Sequence, residues 1–258
     1  MTMTQNSTAP IPVSVTAVEV PETPDVVLTG DALLKDAHLT RQFDLIPSKA
    51  LDVPITIVGV GAIGSVAAMT LAKMGFWNLT LIDYDEVSIE NMNCSSYPWH
   101  AIGQPKVTAL AKILKDYANV TAVAQNRAYN PTGSEKFGGI VIALVDKMEV
   151  RKALFETHTK SPSTQLFIDA RMGAEVGTLY AVKPLDDKDQ ETYRNTLYTD
   201  AQALQEPCTG KATSYCAYTM ASLVAATVKG FVTTGKYARI LDLDLANMDF
   251  VVSSRGKR

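Results

Sequence analysis

The chain has 258 residues, of which 47% are hydrophobic and 20% charged, with a formal net charge of −3. That composition supports a packed core rather than a disordered chain, and gives room for one large α/β domain or two small ones. No basic stripe interrupts the sequence, which argues against nucleic acid as the main partner.

Residues 1–30, rich in Thr, Val and Pro, lack the basic segment and apolar core of a signal peptide and read as a flexible arm, with a candidate edge strand in "VSVTAVEV". The stretch "ITIVGVGAIGSVAAMTLAKMGF", Ile55 to Phe76, then reads as a buried β-branched strand, a glycine turn and a helix. Gly59, Gly61 and Gly64 stand in G-x-G-x-x-G spacing, which turns the chain sharply, lets backbone approach a phosphate, and packs helix on strand. The helix N-terminus adds unpaired N–H groups and partial positive charge, an anion site without a basic side chain. A second strand, "NLTLID", ends at Asp83, 19 positions after Gly64. An acid at about 20 residues is where a ribose hydroxyl is met. Strand, turn, helix, strand and acid in this order point to a nucleotide site, for ATP or a dinucleotide alike.

Further along, 105–117 has helical periodicity, "VTAVA" (120–124) and "GIVIALV" (139–145) read as strands, and 149–158 reads as a helix. "QLFIDA" and "VGTLYAV" are strands, the polar run 184–205 leaves the sheet, 212–228 is an uncharged helix, and "MDFVVSS" adds an edge strand. The uncharged helix is short for a membrane span and broken by hydroxyls, so a buried core or subunit-interface helix is expected, and no membrane partner. The alternation predicts an α/β fold: a Rossmann-like, doubly wound, mainly parallel sheet with helices on both faces. Cys94, Cys208 and Cys216 form no C-x-x-C pair and have no histidine at ligand spacing. Neither structural zinc nor a disulfide framework is expected, and a reducing, cytoplasmic setting fits.

Two residues stay open at this level. Lys106 sits just inside a helix N-terminus, where a cation is mildly unfavourable. It is either a solvated lysine or the neighbour of a bound anion such as a triphosphate. Asp146 follows an apolar strand, and is either a helix N-cap or a Mg²⁺ ligand at the carboxyl end of that strand. A hydride-transfer enzyme would need a group to serve the substrate carbonyl, and nothing after Asp83 declares one.

Arg41–Gln42, "GVGAIG", "LIDYDEVSIENMN", "IGQPKV" and "VDKMEVRKAL" follow one another much as in the ThiF–MoeB–HesA family, adenylating proteins related to ubiquitin-activating enzymes. The resemblance runs from about residue 38 to 229 and implies a single adenylation domain over 31–258. Its nucleotide-binding half would be 31–160, and its half with a crossover loop and dimer-interface helices 161–258. It implies ATP with Mg²⁺ and activation of a carboxylate as an acyl-adenylate, often the C-terminus of a ubiquitin-like or sulfur-carrier protein. By position, Gly59, Gly61, Gly64, Asp83 and Asp85 would belong to the nucleotide site, with Asp83 on the ribose. Asn91 and Lys106 would contact phosphates, Asp146 would hold Mg²⁺, and Arg41 would reach the phosphates from the partner of a homodimer. Attack on the α-phosphorus then needs positioning and fixed cations rather than a protein nucleophile.

Two departures accompany the resemblance. Cys94–Ser95 stands where the family often has Arg–Gln, so a phosphate-binding cation is missing unless Arg127 or Arg171 replaces it. The paired C-x-x-C zinc motifs of many members are absent. Cys208, in "EPCTGKATSY", resembles the crossover-loop cysteine that takes the acyl group as a thioester in some members, and otherwise is an ordinary loop cysteine. Cys216, inside the apolar helix, is expected in the core. The sequence thus predicts an ATP-dependent adenylating enzyme. The alternatives are a catalytically impaired nucleotide-binding partner subunit and an NAD-dependent oxidoreductase.

Overall fold

The computed structural model describes residues 39–42, 44–130, 132, 135–198 and 212–254, and residues 39–258 fall in one compact unit. Strands β1 (Ile55–Val58), β2 (Leu79–Asp83), β3 (Val123–Asn126), β4 (Gly139–Ala143), β5 (Thr164–Gly173), β6 (Val176–Val182), β7 (Ala238–Asp244) and β8 (Asp249–Ser254) form one eight-stranded sheet in the order β3-β2-β1-β4-β5-β6-β7-β8. Among the described residues, five α-helices accompany it: α1 (Ala62–Lys73), α2 (Lys106–Ala118), α3 (Met148–His158), α4 (Asp187–Arg194) and α5 (Ser214–Thr234).

Successive strand residues point to opposite faces, so each central strand feeds two cores. Ile55, Ile57, Leu79, Leu81, Ile140, Ile142, Leu166 and Ile168 join one cluster with α1, α2 and α5. Val58, Ile82, Val141, Ala143 and Phe167 join the other, with Leu154 and Phe155 of α3 and Tyr193 of α4. Helices therefore cover both faces, as the sequence predicts.

The parallel expectation holds from β3 to β5 and ends there. β5 and β6 are joined by a hairpin whose last paired residues are Gly173 and Val176, and so tight a connection forces them antiparallel; β7 and β8 continue that way. The sequence reading omitted β7 and set β3 too early, at 120–124. α5 is long and apolar enough to cross a membrane by length and composition, yet Cys216, Ala217, Met220, Ala221, Val224 and Val228 along it are buried in the core. α4 opens the polar excursion and is tied to the sheet through Asp189, which accepts from Lys183 N, the Tyr237 hydroxyl and Arg239 Nε at 3.2, 2.6 and 2.5 Å. The residues 1–38, with the arm and its candidate strand, and 199–211, with Cys208, lie outside the described residues.

His158, the last residue of α3, is fully buried, stacked on Phe137 with ring centroids 4.9 Å apart, and 3.5 Å from the Tyr129 hydroxyl. Burial lowers its pKa from 6.5 to about 4. The unfolded chain takes up this proton below pH 6.5 and the folded one only near pH 4, so stability is lost as pH falls through that window. The loss tends towards about 3 kcal/mol. Denaturant titrations of wild type and His158→Phe from pH 7 to 4 are expected to show a shallower acid loss in the variant; parallel curves would contradict this.

Candidate functional site

The carboxyl ends of β1 to β5 meet at one cavity of about 460 Å³. In open α/β sheets this is where ligands lodge. At the end of β1, Gly59 adopts φ +90°, and Gly64 sits so close above it that a Cβ at Gly64 would lie 2.1 Å from the Gly59 carbonyl oxygen. These two glycines shape the turn. Gly61 does something else: it borders the cavity, and among the described residues no atom beyond its chain neighbours lies within 4 Å of where its Cβ would be. It is also the N-cap of α1, whose first residues Ala62 and Ile63 line the same cavity.

Asp83, at the end of β2, fixes this turn. One of its carboxylate oxygens accepts from Val60 N at 2.8 Å, the other from Asp85 N at 2.9 Å. The Val60 carbonyl in turn accepts from the buried Tyr97 hydroxyl at 2.6 Å. An ionised carboxylate offers about four acceptor sites, so Asp83 keeps capacity for a ligand hydroxyl.

Lys106 is the first residue of α2 and only 7% exposed. Its ammonium pairs with Asp85 Oδ2 at 2.9 Å and lines the cavity. The solvated-lysine alternative is thereby corrected: the Asp85 carboxylate is the anion that makes a buried cation tolerable at a helix N-terminus. Asp146, exposed on the cavity wall, is not the N-cap of α3. That position belongs to Lys147, with no side-chain cap.

Beyond β3, Arg127 lines the cavity while ion-paired with Glu135 and bonded to Gln125 Oε1. Beyond β4, Lys147 stands over the Tyr84 ring at 5.7 Å from its centroid. At the β5 end lies a group that sequence reasoning missed. Arg151, on the first turn of α3 and 7% exposed, lines the cavity and donates to Asp169 and to the Val145 carbonyl. Fully buried Asp169 also accepts from Arg171 Nε and the Tyr193 hydroxyl, each at 2.8 Å. The only sequence signal was an arginine five positions after Asp146.

The structure thus gathers Gly59, Gly61, Asp83, Asp85, Lys106 and Asp146 around one space, and leaves other candidates off its wall. Gly64 lies behind the turn. Asn91 has its Oδ1 on Ser88 N in the 3-10 turn Ile89–Asn91, which closes that turn's capping box. Arg41 is exposed, ahead of β1. Cys94 is 7% exposed and burial pushes its thiol pKa up, opposed by Lys106 nearby; Cys216 is buried in the core, as expected. Arg127 borders the cavity, whereas Arg171 is off its wall and shares Asp169 with Arg151.

The ThiF family model matches residues 41–255. Ubiquitin-like modifier-activating enzyme 5 of Drosophila mojavensis is 31% identical over 138 residues, 47% of this chain and 33% of that protein. The Bombyx mori protein of the same name is 33% identical over 138 residues, 47% of this chain and 34% of its own. The chain spans about a third of the length of the curated relatives it matches. Among solved structures, E. coli MccB with AMPCPP and MccA superposes with a TM-score of 0.64 at 16% identity, over 86% of this chain and 72% of MccB. PaaA gives 0.69 at 15%, over 93% and 79%, and E. coli tRNA N6-threonylcarbamoyladenosine dehydratase, TcdA, 0.62 at 19%, over 81% and 98%. At these identities the likeness is one of fold.

Gly64→Ala is expected to destabilise the protein by about 1–3 kcal/mol or more, because backbone cannot yield to the added methyl group. Gly61→Ala places its methyl in the cavity and is expected to lie much closer to wild type in a denaturant titration. Equal losses would show that Gly61 serves the fold rather than the cavity.

Proposed function

Because the chain belongs to the ThiF family, we propose that this cavity binds Mg-ATP and activates a carboxylate as an acyl-adenylate. The observation that carries the reading is the meeting of Gly61, Asp83, Lys106 and Asp146 on one cavity from four separate segments. The ribose hydroxyls lie against Asp83, the phosphates against the α1 N-terminus and Lys106, and Asp146 faces the phosphates from β4.

Among the described residues no group of three or more His, Cys, Asp or Glu side chains could hold a metal by itself. A single carboxylate such as Asp146 is nevertheless the donor set Mg²⁺ accepts when phosphate oxygens supply further ligands. When bound, the ion would neutralise charge developing on the phosphates. A carboxylate oxygen of the substrate attacks the α-phosphorus, the bond to the β-phosphate bridging oxygen breaks, and pyrophosphate leaves. Lys106 and the α1 N–H groups are fixed before reaction, so they favour that charge without reorganising.

The substrate class in this reading is the C-terminus of a ubiquitin-like or carrier protein or peptide, in keeping with relatives named as ubiquitin-like modifier-activating enzymes and with MccB solved together with MccA. The reading includes a homodimer, since Arg41 is exposed and off the wall of its own cavity. A cytoplasmic setting belongs to it too, supported by the free, buried thiols of Cys94 and Cys216.

Mg-ATP at roughly 100 times its dissociation constant should stabilise the protein by about 2.7 kcal/mol, while NAD should add nothing. Asp146→Ala, at an exposed side chain that caps no helix, should leave the unliganded melting temperature within a few degrees and remove the Mg-dependent part of the gain. Stabilisation by NAD alone would overturn the reading, as would an Asp146→Ala variant stabilised by Mg-ATP like wild type.

A further inference from the structure

The cations on the cavity wall differ in how firmly they are held. Lys106 is buried and paired with Asp85. Arg127 is ion-paired with Glu135 and bonded to Gln125. Arg151 is buried and donates to Asp169 and to the Val145 carbonyl. Each of these three is tied down by protein acceptors. Lys147, on the same wall, is exposed: its ammonium rests over the Tyr84 ring, 5.7 Å from the centroid, and among the described residues it makes no ion pair. A cation over a ring at an exposed site is weakly held beside one bonded to a phosphate.

Its place in the sheet is specific. Tyr84 follows β2, Lys147 follows β4, and β1 runs between those two strands. Adjacent strands lie about 4.8 Å apart, so the two side chains meet across the end of β1, where the glycine turn stands. A lysine is also a poor choice for the fold at this position. Lys147 is the N-cap of α3 and caps nothing with its side chain. That position favours Ser, Thr, Asp or Asn, whose oxygens accept from the free N–H groups, whereas an ammonium only donates and adds charge to the positive end of the helix. The Tyr84 hydroxyl first, then Asp146 and Asp85, hold its pKa above the usual lysine value, so it is a full cation at neutral pH.

We propose that Lys147 is a catalytic residue that binds the β- and γ-phosphates of the nucleotide and stabilises the pyrophosphate as it leaves. The proposal rests on the adenylation reading and adds to it an exposed cation that the reading does not contain. With the ribose at Asp83, beside β2, a triphosphate laid over the glycine turn runs towards β4. Its far phosphates then come to Lys147, while Lys106 stays fixed by Asp85 on the other side. The ammonium exchanges the Tyr84 ring for phosphate oxygens and keeps its three protons. As the carboxylate oxygen bonds to the α-phosphorus, the electron pair of the breaking bond passes to the bridging oxygen, which departs with the β-phosphate. A charge-assisted hydrogen bond from Lys147 favours that departing charge. Lys147 thereby supplies a cation that neither Arg127, tied to Glu135, nor Arg171, off the cavity wall, is placed to give.

The test is a calorimetric titration of α,β-methylene-ATP and of AMP, each with Mg²⁺, into the full chain. Lys147→Met keeps the length of the side chain and removes its charge, and Lys147→Arg keeps the charge. Lys147→Met is expected to weaken the triphosphate analogue by about tenfold or more and AMP by less than about twofold, as loss of one charged contact to the far phosphates does. Unchanged AMP binding also shows that the variant is folded. Lys147→Arg is expected to stay within about threefold of wild type for both ligands. Wild-type affinity of Lys147→Met for the analogue would overturn the proposal. An equal loss for AMP and the analogue would overturn it too, by making Lys147 a support of the wall rather than a contact of the far phosphates. So would a Lys147→Arg variant as weak as Lys147→Met, since the charge would then not be what binds. Failure of wild type to bind α,β-methylene-ATP would instead sink the adenylation reading, and this proposal with it.

Discussion

One carboxylate holds the two halves of the glycine-turn wall together. Asp83 accepts from Val60 N in the glycine turn and from Asp85 N in the segment that follows β2, so the ends of β1 and β2 cannot move independently. Asp85 then pairs with Lys106, and Lys106 N donates to the Asp85 carbonyl at 2.9 Å, which fixes where α2 begins. Turn, acid and cation are thus a chain of contacts running from Val60 to α2. In a low-dielectric wall such fixed groups act on a ligand's charge more strongly than mobile side chains in water.

The other end of the cavity is built around one shared carboxylate, Asp169. At Lys106 the charges cancel, which lets a lysine be buried at a helix N-terminus. At Arg151, Asp169 is shared with Arg171 and also accepts from the Tyr193 hydroxyl, and Asp146 adds a second electrostatic attraction. Burial and the neighbouring Arg171 lower the Arg151 pKa to about 10, which leaves it charged at neutral pH.

Much of the first half of the sheet was legible in the sequence because its constraints are local. The β1–α1–β2 unit announces itself through glycines whose places are dictated by backbone approach at Gly64 and by φ at Gly59. β7 was missed although its signals were local: leucines alternate with acids in "ARILDLD", the pattern of a half-buried strand, and left-handed Gly235 ends the helix before it. β3 is exposed along most of its length, so no buried pattern fixed its register. Lys106 and Asp146 stayed ambiguous because their partners are decided in space. Asp85 lies 21 positions before Lys106, and the cap of α3 falls one residue beyond Asp146. Arg151 escaped notice for the same reason: Asp169 reaches it from β5, 18 positions away. Family likeness supplied the proposed roles of the residues, and the structure added which of them share a wall.

The most direct measurement is a crystal structure with Mg²⁺ and a non-hydrolysable ATP. The account requires the ribose at Asp83, the phosphates between Gly61 and Lys106, and the metal on Asp146. A nucleotide with its phosphates at Arg151 and its ribose away from Asp83, or one bound outside this cavity, would contradict it.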